Sequence, residues 1–229
     1  MKAVDEFGDR LAAAGWATDL LVAGSLATGD YIPGVSDLDL VAIVPAVPDP
    51  ARIAAMHAGV DPALNLGCVY VCADRLGDLA AEHPTWTHGM LVRRILSGVT
   101  RAELVRHGYP IFGRAPGELL PPMSDDDIRA AARAELTGYW AWAARRPWIF
   151  RDPVLADLSL TSMARGRHAL RHGTLLTKSR AVAEAAAPPW LIAQLRARRR
   201  GEPVSSPRLR TGWVAWRDAR RTVAAARAQ

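Results

Sequence analysis

Residues 3–15 (AVDEFGDRLAAAG) carry apolar side chains at helical spacing and stop at Gly15, which predicts a helix closed by a left-handed glycine. The period then changes. DLLVAG (19–24) is a short apolar run and DLDLVAIV (37–44) a longer one, and both predict strands. A Gly-rich connection, SLATGDYIPGVS, separates them. PAVPDP (45–50) predicts a turn, and helical spacing resumes from about Ala51 to Ala58. LGCVYVCA (66–73) predicts a third, buried strand, and RLGDLAAE (75–82) the start of another helix. The first half thus alternates strands and helices about a sheet.

After GYPIFGRAPGELLPPMSDDD the texture differs. Strand-like runs largely disappear, and Ala, Arg, Leu and Trp recur at helical spacing nearly to the end. Ser124 followed by Asp125, Asp126 and Asp127 is a helix start with negative charge at the positive end of the dipole. These changes divide the chain into an α/β domain over 1–115 and an α-helical domain over 120–229. Helix breaks are expected at Pro147, Gly173, Pro188–Pro189 and GEPVSSP, and the final Arg/Ala-rich stretch is expected to fray.

Half of the 229 residues are hydrophobic and 23% are charged, which excludes disorder and allows a core in each domain. No uninterrupted apolar run approaches the roughly 20 residues of a membrane helix. The start, MKAVDEFGDRL, places acids where a signal peptide has its apolar core, so a cytoplasmic protein is expected. Cys68 and Cys72 would face one side of a strand roughly 13 Å apart, too far for a disulfide. Charge is unevenly divided: 13 Lys/Arg against 18 Asp/Glu over residues 1–150, but 16 against five over 151–229. An acidic half beside a basic half suits metal ligands on one side and phosphate-binding cations on the other, and equally suits a solvated Arg-rich surface.

The chemistry is concentrated in LVAGSLATGDYIPGVSDLDLVAIV (21–44). Gly24-Ser25 follows a strand, so backbone N–H groups and the Ser25 hydroxyl can converge on a phosphate. Asp37 and Asp39 open the next strand two residues apart, which puts both carboxylates on one face, roughly 7 Å apart. Mg²⁺ takes oxygen ligands, and two aspartates with triphosphate oxygens complete its shell. Gly-Ser or Asp-x-Asp alone is usually a turn or a solvated edge, whereas both at strand ends at this spacing are far more specific.

The segment resembles the nucleotidyltransferase signature of Gly-Ser, a short spacer, then Asp-x-Asp on a strand. RHGYPIFGRAPGELLPP (106–122), followed by a helical domain, looks like the streptomycin/spectinomycin adenylyltransferases among aminoglycoside-modifying enzymes. The resemblance covers nearly the whole chain. It implies an α/β nucleotidyltransferase domain, a small mixed sheet with helices, followed by an all-α helical bundle. It also implies two Mg²⁺ ions, ATP as co-substrate between the domains, and transfer of AMP to a hydroxyl of an aminoglycoside-like acceptor, hence antibiotic resistance. The match continues in ARGRHALRHGTLLTKSRAVAEA (164–185), where the pattern implies that Arg165 and Lys178 reach the triphosphate. Composition adds to the case for Lys178: the chain has 27 arginines and two lysines, the other being Lys2. A lysine is a compact point charge suited to phosphate.

One departure stands out. The resembled enzymes carry a glutamate base on a later strand, and its place falls at Gly67, with Asp61 and Asp74 flanking that strand. Two other readings follow: a weakened nucleotide-binding relative without its base, or a nucleic-acid-interacting protein using LRARRRGEPVSSPRLR (195–210). The latter lacks a stacking platform or known RNA module, so neither nucleic acid nor membrane is expected as a partner. Trp140, Trp142 and Trp148 form an aromatic group with Tyr139, and core packing is expected of at least some of them; His83, His88 and His107 show no metal-ligand spacing and read as surface or packing residues.

Overall fold

A computed structural model of the protein describes residues 1–228. The chain forms two compact units, Met1–Pro122 and Met123 onward. The first unit begins with α1 (Lys2–Ala14), which closes on Gly15 at φ 69°, and continues into β1 (Asp19–Val22). A four-residue turn of helix, α2 (Gly24–Ala27), leads by a loop to β2 (Leu38–Val44). Next come α3 (Pro50–His57), β3 (Leu66–Cys72), and the hairpin of β4 (Glu82–Thr87) and β5 (Met90–Ile95). The unit ends with α4 (Gly98–His107), β6 (Tyr109–Phe112) and the short α5 (Pro116–Leu119).

The six strands form one mixed sheet in the order β5-β4-β3-β2-β1-β6. β2 and β3 run parallel, and every other pair is antiparallel. Side chains alternate across the sheet. Leu38, Leu40, Ala42, Leu66, Cys68 and Tyr70 pack with Phe7 and Leu11 of α1 and Ile53 of α3. Val41, Ile43 and Val71 pack on the other face with Leu96, Leu104 and Leu120. That alternation puts Asp39 on the second face, in line with Val41 and Ile43.

The helix expected over 75–82 is absent. The segment makes only a 3₁₀ turn, Ala73–Arg75, before a loop that enters β4. Asp78 Oδ1 accepts from the Ala80 N–H at 2.9 Å, and the buried Arg101 guanidinium donates to the Leu76 and Asp78 carbonyls. Those bonds satisfy three backbone groups of the segment, the Ala80 N–H and the Leu76 and Asp78 carbonyls, outside any helix. The β4–β5 hairpin turns at His88 and Gly89, with φ 48° and 73°, the twist of a type I′ turn.

The second unit is helical throughout. It comprises α6 (Asp125–Glu135), a π-helical turn Leu136–Trp140, α7 (Ala141–Ala144), a 3₁₀ turn Pro147–Arg151, and α8 (Pro153–His172). α9 (Lys178–Ala183), α10 (Pro189–Arg199) and α11 (Arg208–Ala228) complete it. Ser124 and Asp127 form a reciprocal capping box, with N–H···O distances of 3.2 and 2.8 Å. Asp152 caps α8 from the Val154 N–H at 2.8 Å, and Gly173 ends it at φ 67°. The core gathers Leu136, Trp140, Phe150, Leu160, Met163 and Leu195 with Ala215, Ala219 and Val223 of α11. The C-terminal stretch is thus a packed helix through Ala228 rather than a frayed tail, because its small residues recur on one face. Of the aromatic group, only Trp140 is core; Trp142, Trp148 and Tyr139 are exposed.

Candidate active site

The first unit's site begins where β1 stops. The Ala23 N–H donates to the Asp39 carbonyl at 2.8 Å, which keeps the chain beside β2. Gly24 then turns left-handed at φ 59° and opens α2. A β-carbon on Gly24 would run into the Asp39 carboxylate, so glycine is required here twice, for conformation and for space. Ser25 is only 5% exposed, and its hydroxyl is buried without a hydrogen-bond partner. A buried polar atom left unsatisfied by the protein, next in sequence to the glycine that packs on Asp39, points to a ligand that completes it.

The loop from α2 to β2 is tied back on this turn. The Asp30 N–H donates to the Ser25 carbonyl at 2.8 Å, and Ser36 Oγ accepts from the Ile32 N–H at 3.0 Å. Asp37 follows immediately, one residue before β2, and Asp39 is the second residue of that strand. Both are half-buried, and Leu38 between them is fully buried on the opposite face. Gly67 pairs with Asp39 across the parallel β2–β3 ladder. A β-carbon there would lie 3.9 Å from Asp39 Oδ1 and 3.4 Å from the Trp86 carbonyl, so the position opens onto the Asp39 side of the sheet. The flanking acids serve elsewhere. Asp61 is exposed and caps a 3₁₀ turn through the Ala63 N–H at 2.9 Å, while Asp74 follows the far end of β3.

Among the described residues, no group of three or more His, Cys, Asp or Glu side chains gathers to hold a metal ion. The site therefore offers two carboxylates, hard oxygen donors set beside a glycine cradle and an unpartnered hydroxyl. That donor set fits Mg²⁺, which draws the rest of its shell from phosphate oxygens and water.

In the second unit, Arg165 lies on α8 and its Nε donates to the Leu176 carbonyl at 3.0 Å. Lys178 is the first residue of α9, whose N-cap Thr177 accepts from the Arg180 N–H at 3.3 Å. Ser179 accepts from Arg199 Nε at 3.2 Å. Arg165, Lys178 and Arg199 are all half-buried around the start of α9. Arg199 was not legible in the sequence, because nothing distinguishes it within its run of arginines. The rest of that run is largely structural. Arg198 clasps Asp157 with bonds of 2.6 and 2.9 Å and also bonds Ser206 Oγ at 2.8 Å. Arg200 pairs with Glu202 at 2.7 Å, and Arg210 lies 4.7 Å over the Trp190 ring. Arg198, Arg200 and Arg210 are thus engaged within the unit, while Arg196 and Arg208 of the same run are exposed.

No family model matches the sequence, and no curated protein sequence matches it either. The fold does find a counterpart. The chain is similar to the crystal structure of a spectinomycin adenyltransferase, AAD(9) from Enterococcus faecialis, determined with ATP and spectinomycin. The TM-score is 0.66 over 91% of this chain and 92% of that one, at 13% sequence identity. The chain thus has a nucleotidyltransferase fold, a mixed α/β sheet unit followed by a helical unit. No helix among the described residues is long and apolar enough to cross a membrane.

Proposed function

We propose that the protein is a Mg²⁺-dependent nucleotidyltransferase that moves AMP from ATP to a hydroxyl of a small, aminoglycoside-like acceptor. The observation that carries this reading is the packing of the Asp39 carboxylate on Gly24 beside the buried, unpartnered Ser25 hydroxyl, on the fold of an adenyltransferase. Asp37 and Asp39 hold the metal; bound there, Mg²⁺ supplies charge neutralisation on the triphosphate and acidifies the attacking hydroxyl. The Gly24–Ser25 turn binds phosphate oxygens through its N–H groups and hydroxyl. Arg165 and Lys178 offset further triphosphate charge. The acceptor oxygen bonds to the α-phosphorus as the bond to pyrophosphate breaks, in line. The hydroxyl proton leaves to solvent, since Gly67 offers no carboxylate at the place of the glutamate base. A pyrophosphate-release screen of ATP and Mg²⁺ against aminoglycosides and other polyols tests the proposal. Acceptor-dependent release that disappears in Asp37→Asn supports it, and no release with any acceptor overturns it.

A second reading, a nucleotide-binding relative without useful transfer, is favoured by Gly67 alone. It gives Mg·ATP binding by calorimetry with no pyrophosphate above background.

A further inference from the structure

The surface of the helical unit carries an open groove of about 670 Å³, lined by α11 from Trp213 to Ala225, the 185–188 connection and Arg167 of α8. That volume lies within the range of small-molecule sites. Trp213, Arg217 and Arg221 stand four residues apart on α11, so they form one stripe along the groove wall. In the same lining, Arg167 Nη1 donates to Asp218 Oδ1 and to Thr222 Oγ1, each at 2.6 Å. The pair is incomplete: Arg167 Nη2 and Asp218 Oδ2 are buried without a hydrogen-bond partner.

Two features of this wall are unfavourable in the protein alone. Three guanidinium groups line this wall with one carboxylate, Asp218, and no ion pair or hydrogen bond holds the exposed Arg217 or Arg221 among the described residues. Like charges at this helical spacing repel, and the charge left over attracts an anion. Trp213 is also 56% exposed: its ring packs 5.0 Å from that of Trp216, tilted by 44°, and the rest of its apolar surface is open on the same side of α11 as those cations. An anion alone would offset the charge and leave the ring bare. An apolar ligand alone would do the reverse.

We propose that this groove binds a free mononucleotide, with its phosphate on Arg217 and Arg221 and its base against Trp213. Arginine forks match phosphate oxygens bidentately, and an indole face stacks on a planar base. The site shares no residue with Gly24, Ser25, Asp37, Asp39, Arg165 or Lys178, so it is additional to the transfer site.

AMP titrated into the full chain without Mg²⁺, followed by calorimetry and tryptophan fluorescence, tests the proposal. The background is Arg165→Ala/Lys178→Ala, which removes the cations that the transfer site would offer to a phosphate in the absence of metal. Saturable binding is expected, weakened about a hundredfold in Arg217→Gln/Arg221→Gln, with a fluorescence change lost in Trp213→Leu. Inorganic phosphate should compete, and adenosine should bind far more weakly than AMP. ATP-dependent pyrophosphate release by the Arg217→Gln/Arg221→Gln protein reads out the transfer site separately. AMP binding that is absent, or unchanged in an arginine double variant with wild-type circular dichroism, overturns the proposal. Loss of binding of an oligoribonucleotide in that variant, with no AMP binding in the parent, would assign the stripe to RNA instead.

Discussion

Asp39 and Gly24 are a single steric unit: a glycine in the left-handed region yields its β-carbon space to a carboxylate on the neighbouring strand. Asp39→Asn keeps the shape and removes the charge. We therefore expect transfer to fall by at least about 100-fold, as for loss of a metal-site interaction, with the melting temperature nearly unchanged. Near-normal turnover in that variant would remove Asp39 from the site. Gly67 poses the converse question. A β-carbon there has ordinary contact distances around it and lies 3.9 Å from Asp39 Oδ1, so a side chain can leave the strand on the Asp39 side. Gly67→Glu should raise turnover on any acceptor the wild type modifies, within the roughly 10²–10⁴-fold that general-base catalysis supplies. A folded, ATP-binding Gly67→Glu protein that is slower than wild type shows that the vacancy is not a base position.

At the level of elements, legibility followed how local the determinants are. α1, β1, β2, α3 and β3 are readable because each carries its own period and end signals. The Gly24–Asp39 neighbourhood is readable because 16 residues of one strand–turn–strand contain all of it. β4, β5 and β6 are not. β4 is polar and carries Pro84, placed where its pairing with β3 has ended, and β6 is an edge strand bearing Pro110. The 75–82 segment misled because its apolar spacing is helical, while its conformation is imposed by Arg101 from more than twenty residues away. That side chain is 5% exposed and donates to the carbonyls of Leu76, Asp78 and Leu96, the last two at 3.0 and 2.9 Å. Arg101→Met keeps most of the volume and strands three carbonyls. A loss of about 3 kcal/mol is expected in urea denaturation. A loss below about 1 kcal/mol would mean that the loop holds itself. Arg199 was unreadable for the same reason as the 75–82 loop, since its place beside Ser179 depends on how α9 and α10 pack.

Across the whole molecule, the buried titratable groups of the two units should respond to acid in opposite directions. In the first unit His57 is 4% exposed, bonded to the Tyr70 hydroxyl at 2.8 Å and stacked on Trp86. Burial first, and the Arg10 charge second, push it down from 6.5 to about 4. Between those values the unfolded chain takes a proton that the folded chain refuses. The stability is complete above about pH 6.5 and is lost as the pH falls toward 4, about 3 kcal/mol in all. Asp19 acts lower. Burial raises its pKa, but the hydrogen bonds from Arg114 and Thr18 and the Arg114 charge outweigh this and bring it from 3.8 to about 2. Its contribution is present above pH 3.8 and lost as the pH falls toward 2; because Arg114 is half-exposed, screening limits it to about 1–2 kcal/mol. In the second unit Asp157 and Asp218 are raised, because burial outweighs their arginine partners. Protonation there favours the folded state, so acid relieves a cost rather than imposing one. Hydrogen exchange by peptide at pH 7.5, 5 and 3.5 checks the contrast. Peptides of α3 and β3 should lose protection as the pH drops, and those of α8 and α11 should hold theirs. His57→Gln should flatten the α3 and β3 response between pH 6.5 and 4. Earlier loss in α8 and α11 would reverse the assignment of which buried groups govern acid stability.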